Sequence, residues 1–167
     1  ARSALEAPPI VWDEGAGAAQ SSATIAQHLV AGLDAGDAYA FRKEGDAPGA
    51  IRGATKRVGA VYSTPFLAHA TMEPMNCTVK ASADRAEAWV PTQNAEASLA
   101  ALSEQSGVPL AQCEVYRHDL GGGFGRRGGA QDYVRQCASI AKHFPGVPIK
   151  LIWSRESDMT QGFYRPA

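Results

Sequence analysis

Nine consecutive residues, Gly121-Gly122-Gly123-Phe124-Gly125-Arg126-Arg127-Gly128-Gly129, combine bare backbone with fixed positive charge. Six of the nine are glycine, out of 17 glycines in a chain of 167 residues. Such a run has no side chains to pack and weakens any helix or strand. It belongs where backbone must turn through positive φ, or where a ligand must come up against N–H groups. The preceding residues, Cys113 to Leu120, read as a strand, and Ala130 to Phe144 as a helix. Strand, loop and helix N-terminus together make an anion-binding arrangement, because first-turn N–H groups lack internal partners and the helix dipole favours negative charge. Arg126 and Arg127 would add two positive charges there, and Phe124 is its single aromatic. The alternative for a glycine-rich loop taken alone is an ordinary flexible connection.

Other residues carry weaker signals. No Gly-Lys-Ser/Thr follows the loop, so it is not a Walker A phosphate loop. A G-x-G-x-x-G does occur at Gly123, Gly125 and Gly128, with Glu156 and Asp158 placed where a ribose-binding acid would fall. That leaves a nucleotide-binding α/β domain as an alternative. Against it, Arg117, His118 and Asp119 are too polar for a central parallel strand buried on both faces. His69 and Glu73 stand four residues apart and read as a polar pair holding an irregular segment, since a metal site needs further ligands. Thr92-Gln93-Asn94 reads as a strand-to-helix turn with a cap. His118 and Asp119 are neighbours that a strand would turn to opposite faces. Arg155-Glu156-Ser157-Asp158 reads as a solvated loop. Cys77, Cys113 and Cys137 are widely spaced with no Cys-x-x-Cys, so buried free thiols are expected rather than a metal or iron–sulfur site. No catalytic residue and no metal ligand is assigned.

The elements that must position these residues are α+β: a mixed sheet with packed helices. Residues 1–55 form an N-terminal segment: an extended opening, a helix capped at Ser21 or Ser22 and running to about Leu33, and a polar connection from Gly36 to Gly53. Residues 56–167 form the second unit. It has a strand at Val58 to Thr64, a hairpin-like pair at Cys77 to Ala81 and Ala86 to Pro91, and a helix capped by Asn94 and stopped by Gly107. The helix after the glycine loop carries Tyr133, Cys137, Ile140 and Phe144 as its apolar stripe, and Pro148 to Ser154 is a last strand. The formal net charge of −1 gives no reason to expect nucleic acid or an acidic membrane as partner. No run is long enough to span a bilayer, and the first residues show no signal-peptide pattern.

Five short blocks point further: Thr64-Pro65 with His69-Ala70-Thr71-Met72-Glu73-Pro74, Thr92-Gln93-Asn94, Gly121 to Arg127, Ser154-Arg155-Glu156-Ser157-Asp158-Met159, and Trp12-Asp13-Glu14-Gly15 nearer the start. In order and spacing they resemble the molybdopterin-binding catalytic subunits of the xanthine oxidase and aldehyde oxidoreductase family, most of all the isoquinoline 1-oxidoreductase beta-subunit branch. The resemblance runs from about Ala60 onward, and of the first 55 residues only Trp12-Asp13-Glu14-Gly15 is also like that branch. It implies part of a longer catalytic subunit that hydroxylates an aldehyde or N-heterocycle, with water as oxygen source. The cofactor would be molybdenum–molybdopterin, a dinucleotide form included, with electrons leaving through a partner [2Fe–2S] subunit. It further implies that Gly122, Gly123, Phe124, Gly125 and Arg126 bind the cofactor, and that Phe124 and Leu67 line the substrate pocket. Leu67 stands where xanthine oxidases have a glutamine, and Gly128 where they have a substrate-orienting glutamate, so the implied substrate is not a purine. The family's general base is a glutamate far beyond the region matched here. A non-enzymatic module holding an acidic partner through Arg126 and Arg127 is the remaining alternative.

Overall fold

A computed structural model describes residues 11–164. These fall into two compact units, one ending at Pro65 and the other beginning at Phe66. The expected opening segment lies partly outside the described residues; within them, Asp13 accepts a hydrogen bond from the Gly15 N–H at 2.9 Å at a short 3-10 turn. Helix α1, Ser22–Gly32, starts where expected: Ser21 and Thr24 form a reciprocal capping box, which satisfies two otherwise orphaned N–H groups. The stretch read as a polar connection contains helix α2, Ala47–Gly53, capped by Asp46 with Pro48 in its first turn. The glycine and alanine content obscured that start signal. Val58 to Thr64 is exposed and forms no strand; its apolar residues do not alternate against a neighbour that could supply a ladder.

The second unit is a four-stranded sheet with helices packed on it. Its strands are β1, Asn76–Ala81, β2, Ala86–Val90, β3, Cys113–Arg117, and β4, Ile149–Ile152, in the order β3-β2-β1-β4. β1 pairs antiparallel with β2 and β4, and β2 pairs parallel with β3. The architecture is α+β with a mixed sheet, as the sequence indicates. One face is apolar with period two: Cys77, Val79 and Ala81 on β1, Ala86, Ala88 and Val90 on β2. The three alanines leave room for helices α3, Ala95–Ser106, and α4, Asp132–Ala141, to lie close against the sheet. Asn94 caps α3 through the Ala97 N–H, and Gly107 ends it at φ 79°, the left-handed conformation that glycine adopts without strain.

Helix α4 is shorter than the sequence suggests, and its buried face is different. Tyr133, Val134, Cys137, Ala138 and Ala141 are buried, whereas Ile140 and Phe144 are exposed. The stripe therefore follows i, i+4, i+8 with its neighbours rather than drifting to 140 and 144. β3 also ends early, at Arg117, and is an edge strand, which accounts for its polar character. Cys77 and Cys137 are buried and free, and Cys113 is half-buried and free. The Cys77 thiol is pushed up by its hydrogen bond with Cys137 and by burial, so it stays protonated and unreactive. Residues Arg155–Thr160, expected as a solvated loop, form helix α5, capped by Ser154. Asp158 is buried there against Arg155 at 2.8 Å. Among the described residues no helix is long and apolar enough to cross a membrane.

Candidate functional site

The strand directions gather the site. β2 and β3 run parallel, so both end at the same edge of the sheet; β1 begins there, and β4, antiparallel to β1, ends there. Residues 71–75, 91–94, 118–131 and 153–158 therefore converge, although up to 87 positions separate them in sequence. Four of the blocks noted in the sequence have members at that edge.

Glu73 clamps the start of the glycine loop. Its backbone N–H donates to the Gly121 carbonyl at 3.0 Å, and its Oε2 accepts the Gly121 N–H at 3.0 Å. A Cβ on Gly121 would lie 2.3 Å from the Glu73 Cβ, so glycine is required there by contact. Segment 66–74 is not helical, and His69 and Glu73 do not act as an i, i+4 pair. Glu73 also accepts from Asn76 Nδ2 at 2.9 Å. His69 lies instead by Gly162 and Arg126.

Gln93 holds the middle of the loop. Its Oε1 accepts from the N–H groups of Gly125 at 3.1 Å and Arg127 at 3.3 Å. Its backbone N–H donates to the Arg127 carbonyl at 3.2 Å. The same carbonyl accepts from Thr92 Oγ1 and Gln131 Nε2, at 3.2 and 2.8 Å. Thr92-Gln93-Asn94, a strand-to-helix turn with a cap by its sequence, is that turn, and Asn94 is the cap. Nothing local signals that the two residues before it reach the loop.

The arginines do not present free charge. Arg127 is fully buried and donates to the carbonyls of Gly122 at 2.8 Å, Pro91 at 3.3 Å and Glu73 at 2.7 Å, and to Glu73 Oε2 at 3.0 Å. Arg126 is 2% exposed, forms a two-point pair with Asp132 at 3.0 and 2.7 Å, and stacks 5.3 Å above the Trp153 ring. Two guanidiniums so enclosed cannot hold an acidic partner at the surface, which removes the basis of that alternative. The helix N-terminus is not offered either. Asp132 takes the Tyr133 N–H at 3.1 Å, and Gln131, at φ 51°, turns the chain before α4 begins.

What the loop does offer is backbone. The carbonyls of Gly121, Gly122 and Gly123 are bonded to Glu73 N–H, Arg127 Nε and Arg126 N–H. The N–H groups of Gly121, Gly125, Arg126, Arg127 and Gly128 are also bonded. Between them, the N–H groups of Gly122, Gly123 and Phe124 have no partner among the described residues. Gly123 is buried, and an unpaired buried N–H costs free energy comparable to a lost hydrogen bond. Gly122, Phe124 and Gly125 have φ of 100°, 55° and 92°. Successive N–H groups in such turns form a concavity for negative oxygen. The Phe124 side chain is 75% exposed and Leu67 69%. Neither earns its place by packing inside this unit.

Fold and site thus define an α+β domain whose glycine loop, among the described residues, leaves three successive N–H groups without a protein partner. Residues 33–167 match the family model of the molybdopterin cofactor-binding domain, and the chain belongs to that family. Isoquinoline 1-oxidoreductase subunit beta of Brevundimonas diminuta is 33% identical over 111 residues, 64% of this chain and 13% of that protein. Xanthine dehydrogenase/oxidase of Rattus norvegicus is 31% identical over 87 residues, 50% of this chain and 6% of that protein. Among solved structures, quinoline 2-oxidoreductase from Pseudomonas putida 86 shares the fold, with a TM-score of 0.59 at 19% identity, over 71% of this chain and 15% of that one. The chain therefore spans a small part of the length of each relative. The sheet, three of whose four strands pair antiparallel, is not the parallel one that a dinucleotide-binding reading requires.

Proposed function

We propose that this chain supplies one wall of the molybdenum–molybdopterin site in the catalytic subunit of a molybdenum hydroxylase. The observation that carries the reading is the row of unpaired N–H groups at Gly122, Gly123 and Phe124, flanked on both sides by N–H groups that the protein satisfies itself. Three preset donors suit the oxygens of an anionic group and cost no reorganisation when charge develops there. Gly122, Gly123, Phe124 and Gly125 would face the cofactor. Arg126 would act from behind, fixing the loop to α4 through Asp132. When bound, the cofactor supplies two-electron oxidation of a substrate carbon with oxygen from water. A dinucleotide form of the pterin and a [2Fe–2S] partner subunit complete the proposal. The substrate is an aldehyde or N-heterocycle, with Phe124 and Leu67 contributing apolar surface where a purine site would need polar side chains. Residues 1–55 would serve as a lead-in segment and 56–167 as the cofactor-binding unit.

Purifying the intact protein and measuring molybdenum, iron and acid-labile sulfur tests this. Molybdenum with iron is the expected result; a bound adenine nucleotide without molybdenum would overturn it.

Phe124 supplies a second test. A non-glycine residue in the left-handed region costs about 1–2 kcal/mol, and an exposed ring regains little of that by burial. Phe124→Ala is therefore expected to leave the unfolding temperature unchanged. It should raise KM for aromatic substrates over small aldehydes by a factor corresponding to about 1–3 kcal/mol. Equal changes for both classes would make Phe124 a packing residue. Residues 1–167 expressed alone and given cofactor should show no turnover with either class. Three backbone donors, each worth about 1 kcal/mol net, are too few to retain a large anion. Dye reduction above the blank would refute that.

A further inference from the structure

We infer that Gln93 is the positioning residue of this site: its side-chain carbonyl sets the direction in which the Gly122, Gly123 and Phe124 N–H groups point. The inference rests on the loop being the cofactor wall and adds the element that aims it. Gln93 lies in the turn between β2 and α3, 28 residues before the loop begins, yet its Oε1 accepts two loop N–H groups, those of Gly125 and Arg127. Both neighbours are donors, so the oxygen and not the amide nitrogen must face them. These two bonds draw Gly125 and Arg127 inwards on one side, and Glu73 draws Gly121 inwards on the other. The three residues between the anchors are left with their N–H groups unpaired.

Gly123 is fitted to the same side chain. A Cβ there would lie 2.6 Å from the Gln93 Cδ and Oε1 and 3.0 Å from its Nε2. The amide group of Gln93 thus occupies the space under the centre of the row. Gln93 itself is exposed and contributes nothing to the apolar core. Its two bonds, its fit to Gly123 and its lack of a packing role assign it to the loop's geometry rather than to the stability of the fold.

The test uses the intact protein, with Gln93→Met, which keeps the length and loses the acceptor, and Gln93→Glu, which keeps the acceptor. Three quantities are read: molybdenum per polypeptide, the Mo(V) paramagnetic resonance line shape of partly reduced protein, and amide hydrogen exchange across residues 121–128. For Gln93→Met, exchange at Gly125 and Arg127 should quicken while the protein stays folded, its unfolding temperature lowered by no more than the loss of those two hydrogen bonds. Molybdenum content should fall by about ten- to a hundredfold, the range for losing a group that orients ligand-holding residues, and any remaining signal should change shape. Gln93→Glu should restore slow exchange and retain more molybdenum than Gln93→Met. Gly123→Ala, which pushes the Gln93 side chain aside without altering it, should reproduce the Gln93→Met pattern.

Full molybdenum content and an unchanged line shape in Gln93→Met would overturn the inference, as would equal loss in Gln93→Met and Gln93→Glu. In either case a loaded wild-type protein leaves the cofactor-wall reading standing. Wild-type protein without molybdenum would defeat that reading and this inference together.

Discussion

Arg127→Met is expected to destabilise the second unit more than any other single change in the loop. Arg127 is fully buried and holds three backbone carbonyls, those of Gly122, Pro91 and Glu73, together with the Glu73 carboxylate. Removing one partner of a buried pair costs about 3–5 kcal/mol. The Glu73 side chain is 35% exposed, so solvent can take up part of its charge and the lower end applies. Of the three carbonyls, that of Glu73 keeps the Thr71 hydroxyl and that of Pro91 keeps the Tyr133 hydroxyl, so Gly122 alone is left without a partner, and the three lost bonds together are worth about 1–3 kcal/mol. Because Arg127 ties the end of β2 to both the 71–75 segment and the loop, hydrogen exchange should rise across 73–75 and 121–127 together. Arg127→Lys is expected to recover only part of the loss, since one ammonium cannot reproduce the spread of a planar guanidinium over four acceptors. An unfolding midpoint for Arg127→Met within error of wild type would show that the network is dispensable.

Gly123→Val in the intact protein is expected to abolish molybdenum retention while leaving the fold in place. The Gln93 amide, which a Cβ would meet at 2.6 Å, is the far end of a flexible side chain and can swing away. That costs its bonds to Gly125 and Arg127 and little else, about 1–3 kcal/mol. With that anchor displaced, the Gly122, Gly123 and Phe124 N–H groups lose their common direction. The effect on the site is therefore larger than the effect on stability. Gly129→Ala is the control, because a Cβ there meets nothing within 4 Å. Both variants should fold, and the Gly129 variant alone should retain wild-type molybdenum. Full metal content and turnover in Gly123→Val would end the view of this loop as a cofactor wall.

Local interactions made much of this molecule legible in its sequence. The Ser21 and Asn94 caps, the Gly107 stop, the β1–β2 pair and the α+β class all follow from neighbours within a few residues or from period-two burial. The same holds for the glycine loop as a place of exposed backbone, since six glycines in nine residues leave nothing to pack. The motif blocks also pointed to the family to which the chain belongs. Where the sequence reading failed, the cause was tertiary. The stripe on α4 shifted from Ile140 and Phe144 to Ala138 and Ala141 because the sheet beneath is lined with alanine and admits small residues. Val58 to Thr64 has strand-like composition and no strand to pair with.

The meaning of Arg126 and Arg127 was likewise undecidable from sequence. A charged residue in a glycine run looks available for a ligand until the fold shows Asp132, Trp153 and Glu73 closing around it. Gln93 sits in what reads as a capping turn. Only the parallel pairing of β2 and β3, which brings the ends of both strands to one edge, delivers its carbonyl to Gly125 and Arg127. Sequence determined which backbone would be bare. Tertiary structure decided which way its N–H groups face, because that direction is fixed by hydrogen bonds from residues 28 to 48 positions before the loop begins.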